Sequence, residues 1–142
     1  MSDEAASMND WNQQIIAEFR ANAGVVGGPF EGAPLLLLHT TGAKTGAERI
    51  NPLMYQALEG GAIAVFASKA GAPTDPDWYH NVVKTPEVTA EVGTGTLAFT
   101  ARIVEGAERD RIWTKQKADF PNFAEYEAQT DRVIPVVVLD PR

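Results

Sequence analysis

Apolar positions along the chain fall into two rhythms, one helical and one extended. From Asn9 or Asp10, a capping candidate, Trp11, Ile15, Ile16 and Phe19 recur at helical spacing. That spacing predicts an amphipathic helix over about residues 10–22, ended near Gly24. Residues 1–8 are small and polar with two acids, and are expected to be disordered. Gly24 to Pro34 is rich in glycine and proline and reads as a loop. Leu35 to Leu38 is an unbroken apolar run, short enough for a strand buried on both faces. Extended structure resumes over Ile50–Tyr55, and the turn Glu59-Gly60-Gly61 leads into a third strand, Ala62–Ala67. Asp75-Pro76 predicts a short helix, with Asp75 as cap and Pro76 at the first helical position, stopping before Pro86. Residues 86–92 alternate like a half-buried strand, and Gly93-Thr94-Gly95 turns them into a fifth, Thr96 to Val104. A mixed-charge helix is expected from Ala107 to about Ala118. Phe120, Phe123 and Tyr126 then recur every three residues, and Val133 to Leu139 is a last buried strand with Pro135 near its start or at an edge. Six strands in mostly antiparallel order, interrupted by helices, predict an α+β split β-barrel.

Composition narrows this picture. The chain has 142 residues, 44% hydrophobic and 22% charged, an ordinary mix for one soluble globular domain. It divides into an N-terminal tail and helix, 1–24, and a barrel, 25–142. The formal charge of −7 disfavours a nucleic-acid partner, since phosphate contacts require clustered cations. With no cysteine and only His39 and His80, a closed zinc site is not expected, and no carboxylate cluster points to another metal. No run approaches the roughly 20 apolar residues of a spanning helix, and no signal-peptide pattern precedes Asp10. A cytoplasmic protein is expected. The first helix is either packing, a lid, or a peripheral membrane contact through Trp11, Ile15, Ile16 and Phe19.

Candidate chemistry gathers between the first two strands. Thr41-Gly42-Ala43-Lys44-Thr45-Gly46 brackets a lysine with two glycines that can take positive φ, reversing the chain tightly and turning backbone N–H groups to one side. Arg49 follows, able to fork two donors onto a phosphate or carboxylate. Strand, cationic turn and strand read either as an anion clamp built from Lys44, Thr45 and Arg49, or as a hairpin with a cationic tip. A nucleotide-binding P-loop is excluded. That motif places glycine immediately before the lysine and a helix after it, whereas Ala43 precedes Lys44 and Pro52 closes an extended segment. A second small-residue loop, Ala67-Ser68-Lys69-Ala70-Gly71, offers bare backbone for the edge of a flat heterocycle. Trp78-Tyr79-His80-Asn81 adds aromatic surface and an amide. Pro52 and Tyr55 are placed to line the same ring. Each piece has a plainer reading: Trp78 and Tyr79 as core packing, and Ser68 as a serine without an acid–base partner.

Taken together, Thr41–Gly46 with Arg49 and Asn51-Pro52, then Ala67-Ser68-Lys69, then Pro76–Asn81, resemble the deazaflavin-dependent nitroreductase family. These are small actinobacterial oxidoreductases that use coenzyme F420. The likeness spans about residues 34–140 and includes Thr130–Val136. It implies the split barrel shared with FMN-binding oxidases. It also implies Lys44 and Arg49 on the phosphate and acidic tail of F420, with Pro52, Tyr55 and the backbone of Ala67 to Ala70 on the deazaflavin. Trp78, Tyr79 and Asn81 would close the site. Where nitroreducing members carry tyrosines along the segment capping the substrate, this chain has Phe120 and Phe123, with only Tyr126 keeping a hydroxyl; phenylalanine cannot hydrogen-bond a nitro group. The implied activity is F420H2-dependent reduction, with hydride passing from the deazaflavin C5 to a small apolar acceptor such as a conjugated enone, an unsaturated lactone of the coumarin type, or a quinone. The proton comes from solvent or from Tyr126. The alternatives are an FMN-binding split-barrel protein and a non-catalytic F420 carrier.

Overall fold

A computed structural model describes residues 3–27 and 34–142 of the chain. Residues 28–33, within the expected Gly24–Pro34 loop, and residues 1–2 lie outside the described ones. Six strands close an antiparallel barrel: β1 (Leu35–Thr41), β2 (Glu48–Ala57), β3 (Ile63–Phe66), β4 (Glu87–Val92), β5 (Gly95–Val104) and β6 (Val136–Pro141). Their order around the barrel is β1-β2-β3-β6-β5-β4.

The unbroken apolar runs have a direct explanation in this closure. Side chains alternate across a strand, and both faces of β1 are covered. Leu36 and Leu38 point into the barrel, while Leu35 and Leu37 lie beneath a helix outside it. β6 repeats the arrangement, with Val137 and Leu139 inside and Val136 and Val138 outside. The interior is filled by these residues together with Val65, Phe99 and two side chains of α2 (Asp77–Lys84), Trp78 and Val82.

Two helical layers cover the outer faces. Helix α1 (Asp3–Ala21) lays Ile15, Ile16 and Phe19 on Leu35 and Leu37, with Ile50 and Met54 of β2 at the margin. Helices α3 (Gly106–Asp119) and α4 (Asn122–Ala128) pack Ile112, Trp113 and Phe123 over Phe66, Val136 and Val138. The Phe66, Trp113 and Phe123 rings meet at centroid separations of 5.5–6.1 Å in tilted and edge-on pairs.

Several expectations are corrected by the fold. Helix α1 begins at Asp3, so the expected disordered tail is largely helical; Ala5, Ala6 and Met8 favour that conformation. Of the roles open to its apolar face, packing is the one the structure shows. Ile15, Ile16 and Phe19 are at most 7% exposed, and each contributes roughly 1.5–3 kcal/mol through burial against the barrel. No helix among the described residues is long and apolar enough to cross a membrane. Pro76, not Asp75, is the N-cap of α2, because the Asp75 carboxylate is held by Arg132. The last strand begins at Val136. Ile134 and Pro135 approach it from outside, and the Pro135 carbonyl accepts the N–H of Ala67 at 3.0 Å.

The last turn of α1 is fixed by charge as well as by burial. Arg20 donates to both oxygens of Glu91 on β4, at 3.1 and 2.8 Å. Nε2 of His39 lies 2.6 Å from the same carboxylate, and its Nδ1 lies 3.3 Å from Glu48. The Arg20 hydrogen bond, assisted by His39, lowers the Glu91 pKa to about 2.

Candidate active site

At one end of the barrel the β1–β2 turn, the loop after β3 and the start of α2 enclose a cleft of about 590 Å³. Its shape follows from how the turn is closed. The Gly42 N–H donates to the Ala47 carbonyl at 2.7 Å, and the Gly46 N–H to the Gly42 carbonyl at 2.9 Å. Gly46 has φ 73°, a conformation an L-residue reaches only at a cost. This compact turn leaves Lys44, Thr45 and Arg49 exposed on its outer side, all three lining the cleft.

Asn81 anchors the turn to α2. Its Oδ1 accepts the N–H of Ala43 at 2.9 Å, and its Nδ2 donates to the Thr40 hydroxyl at 3.0 Å. The side chain is buried, and its oxygen and nitrogen both have protein partners. One turn on, Lys84 donates to the Ala43 carbonyl at 2.7 Å. Thus Asn81 and Lys84 together hold the N–H and the carbonyl of Ala43, the residue that presents Lys44.

The opposite wall is shaped by Arg132, in the link between α4 and β6. Its guanidinium donates to the carbonyls of Ala67 at 3.1 Å, Ser68 at 2.9 Å and Ala72 at 2.9 Å, and to Asp75 at 2.8 Å. The carbonyls of Ala67 and Ser68 thus face Arg132, while the Ala67 and Gly71 N–H groups donate to the Pro135 and Ser68 carbonyls. Within this loop Lys69 adopts φ 46°, an unusual left-handed conformation for a residue with a side chain and one that concentrates at ligand sites. It sends Nζ to the Thr74 hydroxyl at 3.3 Å. Gly71, at φ 81°, lies so close to α4 that a Cβ there would stand 2.9 Å from the Tyr126 carbonyl.

Lys44, Arg49 and Lys69 therefore converge in a chain of net charge −7. Among the described residues neither Lys44 nor Arg49 has an ion-pair partner. Of the two acids in the cleft, Asp75 is already paired with Arg132 and Asp77 heads α2. Three cations gathered in one cleft suit a phosphate and carboxylates, the chemistry of an acidic, phosphate-bearing cofactor.

The structure brings together Lys44, Thr45, Arg49, Lys69 and Asn81, and distributes the other candidates. Trp78 is a barrel-core residue, 4% exposed. Tyr79 is half-buried against that core. Burial, then the nearby Asp75 carboxylate, raises its pKa above the ordinary phenol value, so its O–H remains a donor at neutral pH. Pro52 shares strand parity with Ile50 and Met54 and so lies on the outer face of β2, whereas Tyr55 packs toward the interior. Ala67 and Ser68 are buried in the loop wall; the Ala70 side chain lies outside the described ones. Phe123 is buried beneath α3 and α4. Phe120 and Tyr126 are half-buried at its border, with the Tyr126 hydroxyl accepting from Asn122 Nδ2 at 3.1 Å. Sequence reasoning assigned no role to Arg132 or Lys84, whose partners lie 41 to 65 residues away in the chain. The sequence motif Thr130–Val136 contains Arg132, but no spacing rule exposes what it holds.

Residues 11–141 match the family described as F420H(2)-dependent quinone reductase. An F420H(2)-dependent quinone reductase of Mycobacterium tuberculosis H37Rv is 42% identical over 130 residues, covering 89% of this chain and 87% of the relative. Among solved structures, an F420-H2-dependent reductase superposes with a TM-score of 0.68 at 44% identity, over 75% of this chain and 94% of that one. A chain described as a domain-swapped dimer superposes with a TM-score of 0.69 at 37% identity, covering 96% of this chain and 99% of that one. The cation cleft, the split barrel and these matches agree: the chain belongs to the F420H(2)-dependent quinone reductase family and is an F420-dependent oxidoreductase that works with the reduced coenzyme.

Proposed function

We propose that the chain reduces a quinone-type acceptor, or a conjugated enone or unsaturated lactone of similar shape, with F420H2 as the hydride source. The observation that carries this reading is the convergence of Lys44, Arg49 and Lys69, without acidic partners for the first two among the described residues, beside a loop whose carbonyls are turned away toward Arg132. Lys44 and Arg49 bind the phosphate and the acidic tail, with Thr45 beside them. The bound coenzyme supplies the hydride from its C5. The protein's own contribution is to bind, orient and exclude water. Asn81 acts on the coenzyme through the turn it anchors, and Trp78 through the barrel core beneath α2. Tyr55 and the 67–70 backbone are assigned to the ring, with Pro52 on the opposite face of β2; Phe120 and Tyr126 are assigned to the acceptor side, with Phe123 packed behind Tyr126. Tyr126 is the candidate proton donor.

The test is a fluorescence titration of F420 into the protein. Lys44→Ala and Arg49→Ala are each expected to weaken binding several-fold, increasingly at low salt, with an unchanged melting temperature. An unchanged dissociation constant removes that residue from the site. Anaerobic oxidation of F420H2 against quinones, enones and lactones then ranks the acceptors. Turnover at the wild-type rate in Tyr126→Phe assigns the proton to solvent.

A further inference from the structure

At the far end of β2, a second cleft of about 280 Å³ opens between Tyr55 and Gln56 on the strand and Gln116 and Phe120 at the end of α3. Gln116 is 1% exposed, and its amide nitrogen has no hydrogen-bond partner among the described residues. The orientation of that amide is dictated by its neighbour. Gln56 Nε2 lies 3.1 Å from the Ile112 carbonyl and 3.2 Å from Gln116 Oε1, so its two hydrogens serve two acceptors. Rotating Gln56 would set an oxygen against the Ile112 carbonyl, and rotating Gln116 would set two NH2 groups against each other. Gln116 Nε2 is therefore held as a donor with nothing to donate to among the described residues, an arrangement that disfavours folding unless a ligand uses it.

We infer that this cleft is the acceptor subsite and that Gln116 Nε2 donates to a carbonyl oxygen of a flat, uncharged ring, that of a quinone. The inference rests on the proposed reduction of quinone-type acceptors. The half-buried Phe120 ring supplies an apolar wall, with Pro34 and Ala57 beside it. At the rim Lys115 is paired with Asp119, so no uncompensated cation is present among the described lining residues to select an anion. The volume lies just under the roughly 300–1,000 Å³ of pockets for drug-sized ligands, which suits one or two fused rings. Gln56 is seven positions beyond Arg49 on β2, roughly 23 Å at the rise of a strand. One strand thus carries the tail-binding cations at one end and the carbonyl donor's partner at the other.

The test uses menadione on protein loaded with oxidised F420, which binds both molecules without turnover. By calorimetry, Gln116→Leu is expected to weaken menadione about tenfold, with F420 affinity unchanged and the melting temperature equal or higher. In turnover with F420H2 the KM for menadione rises to match, while kcat stays within about twofold. Phe120→Leu, which leaves the amide in place, is expected to weaken menadione as well. Unchanged menadione affinity in Gln116→Leu overturns the inference, as does a loss that F420 affinity follows in step. If wild-type protein binds no F420, the proposed function itself falls. If it binds F420 and reduces menadione while Gln116→Leu behaves as wild type, only the Gln116 assignment falls.

Discussion

Arg132 donates to the carbonyl oxygen of Ser68 at 2.9 Å across 64 residues of chain. The same guanidinium reaches Ala67, Ala72 and Asp75, so one side chain dictates the path of the loop that carries Lys69. Its planar fork is what makes four simultaneous bonds possible. Arg132→Lys is expected to cost about 2 kcal/mol of stability and to weaken F420 binding, since an ammonium cannot reach the same acceptors together. Denaturant unfolding alongside the fluorescence titration checks both; a lysine variant with wild-type affinity would show that the loop holds its shape without the fork.

Asn81 performs the corresponding task for the cationic turn. Asn81→Ala leaves the Thr40 hydroxyl and the Ala43 N–H without their partner, and is expected to cost about 1–3 kcal/mol. Asn81→Asp keeps the acceptor for Ala43 but loses the donor to Thr40. Its F420 affinity is expected to fall between that of wild type and that of the alanine variant. Equal affinities in all three would mean that the turn is held without Asn81.

Two glycines with similar backbone angles are expected to respond differently to alanine. Gly46 has φ 73° and open space where a Cβ would stand, so Gly46→Ala meets conformational strain alone, about 1–2 kcal/mol. Gly71 has φ 81°, and a Cβ there also meets the Tyr126 carbonyl at 2.9 Å and Gln129 at 3.0 Å. Gly71→Ala must displace α4 and is expected to lose more than Gly46→Ala. Melting temperatures of the two variants check the order.

Glu91 sets an acid limit on the attachment of α1. Its pKa falls from 4.5 to about 2, through the Arg20 hydrogen bond first and His39 after it. A carboxyl group depressed by folding contributes stability above its unfolded pKa and loses it as pH falls through the folded value. The contribution is therefore complete above about pH 4.5 and gone near pH 2. Glu91→Gln is expected to melt below wild type at neutral pH and to converge with it in that acid window. A constant gap between the two melting curves would show that Glu91 does not titrate with folding.

The barrel was legible because β1, β3 and β6 are apolar on both faces and the turns between strands are marked by glycine. The cationic turn was equally open to reading, since Gly42, Lys44, Gly46 and Arg49 are neighbours in sequence. What escaped was everything held by contacts between distant residues. Asp75 has the sequence context of a helix cap yet pairs with Arg132. Asn81 closes the Pro76–Asn81 motif in sequence, but its amide fastens a turn rather than facing outward. Phe123 shares a three-residue rhythm with Phe120 and Tyr126, and only the packing of α4 on Phe66 shows that it is buried. Similarly, the helical spacing of Ile15, Ile16 and Phe19 cannot distinguish a barrel from a lipid surface as the partner of that face.

Because Arg132 lies four residues beyond the end of α4 while Gly71 abuts that helix, the loop proposed to seat the coenzyme and the helix proposed to stand over the acceptor would move as a single mechanical unit. Widening the room for a bulkier acceptor by tilting the helix would deform the coenzyme's seat as well. New acceptor preferences in such a frame are more easily reached by exchanging side chains at positions such as Phe120 than by moving backbone, which lets acceptor choice diversify while coenzyme recognition stays fixed.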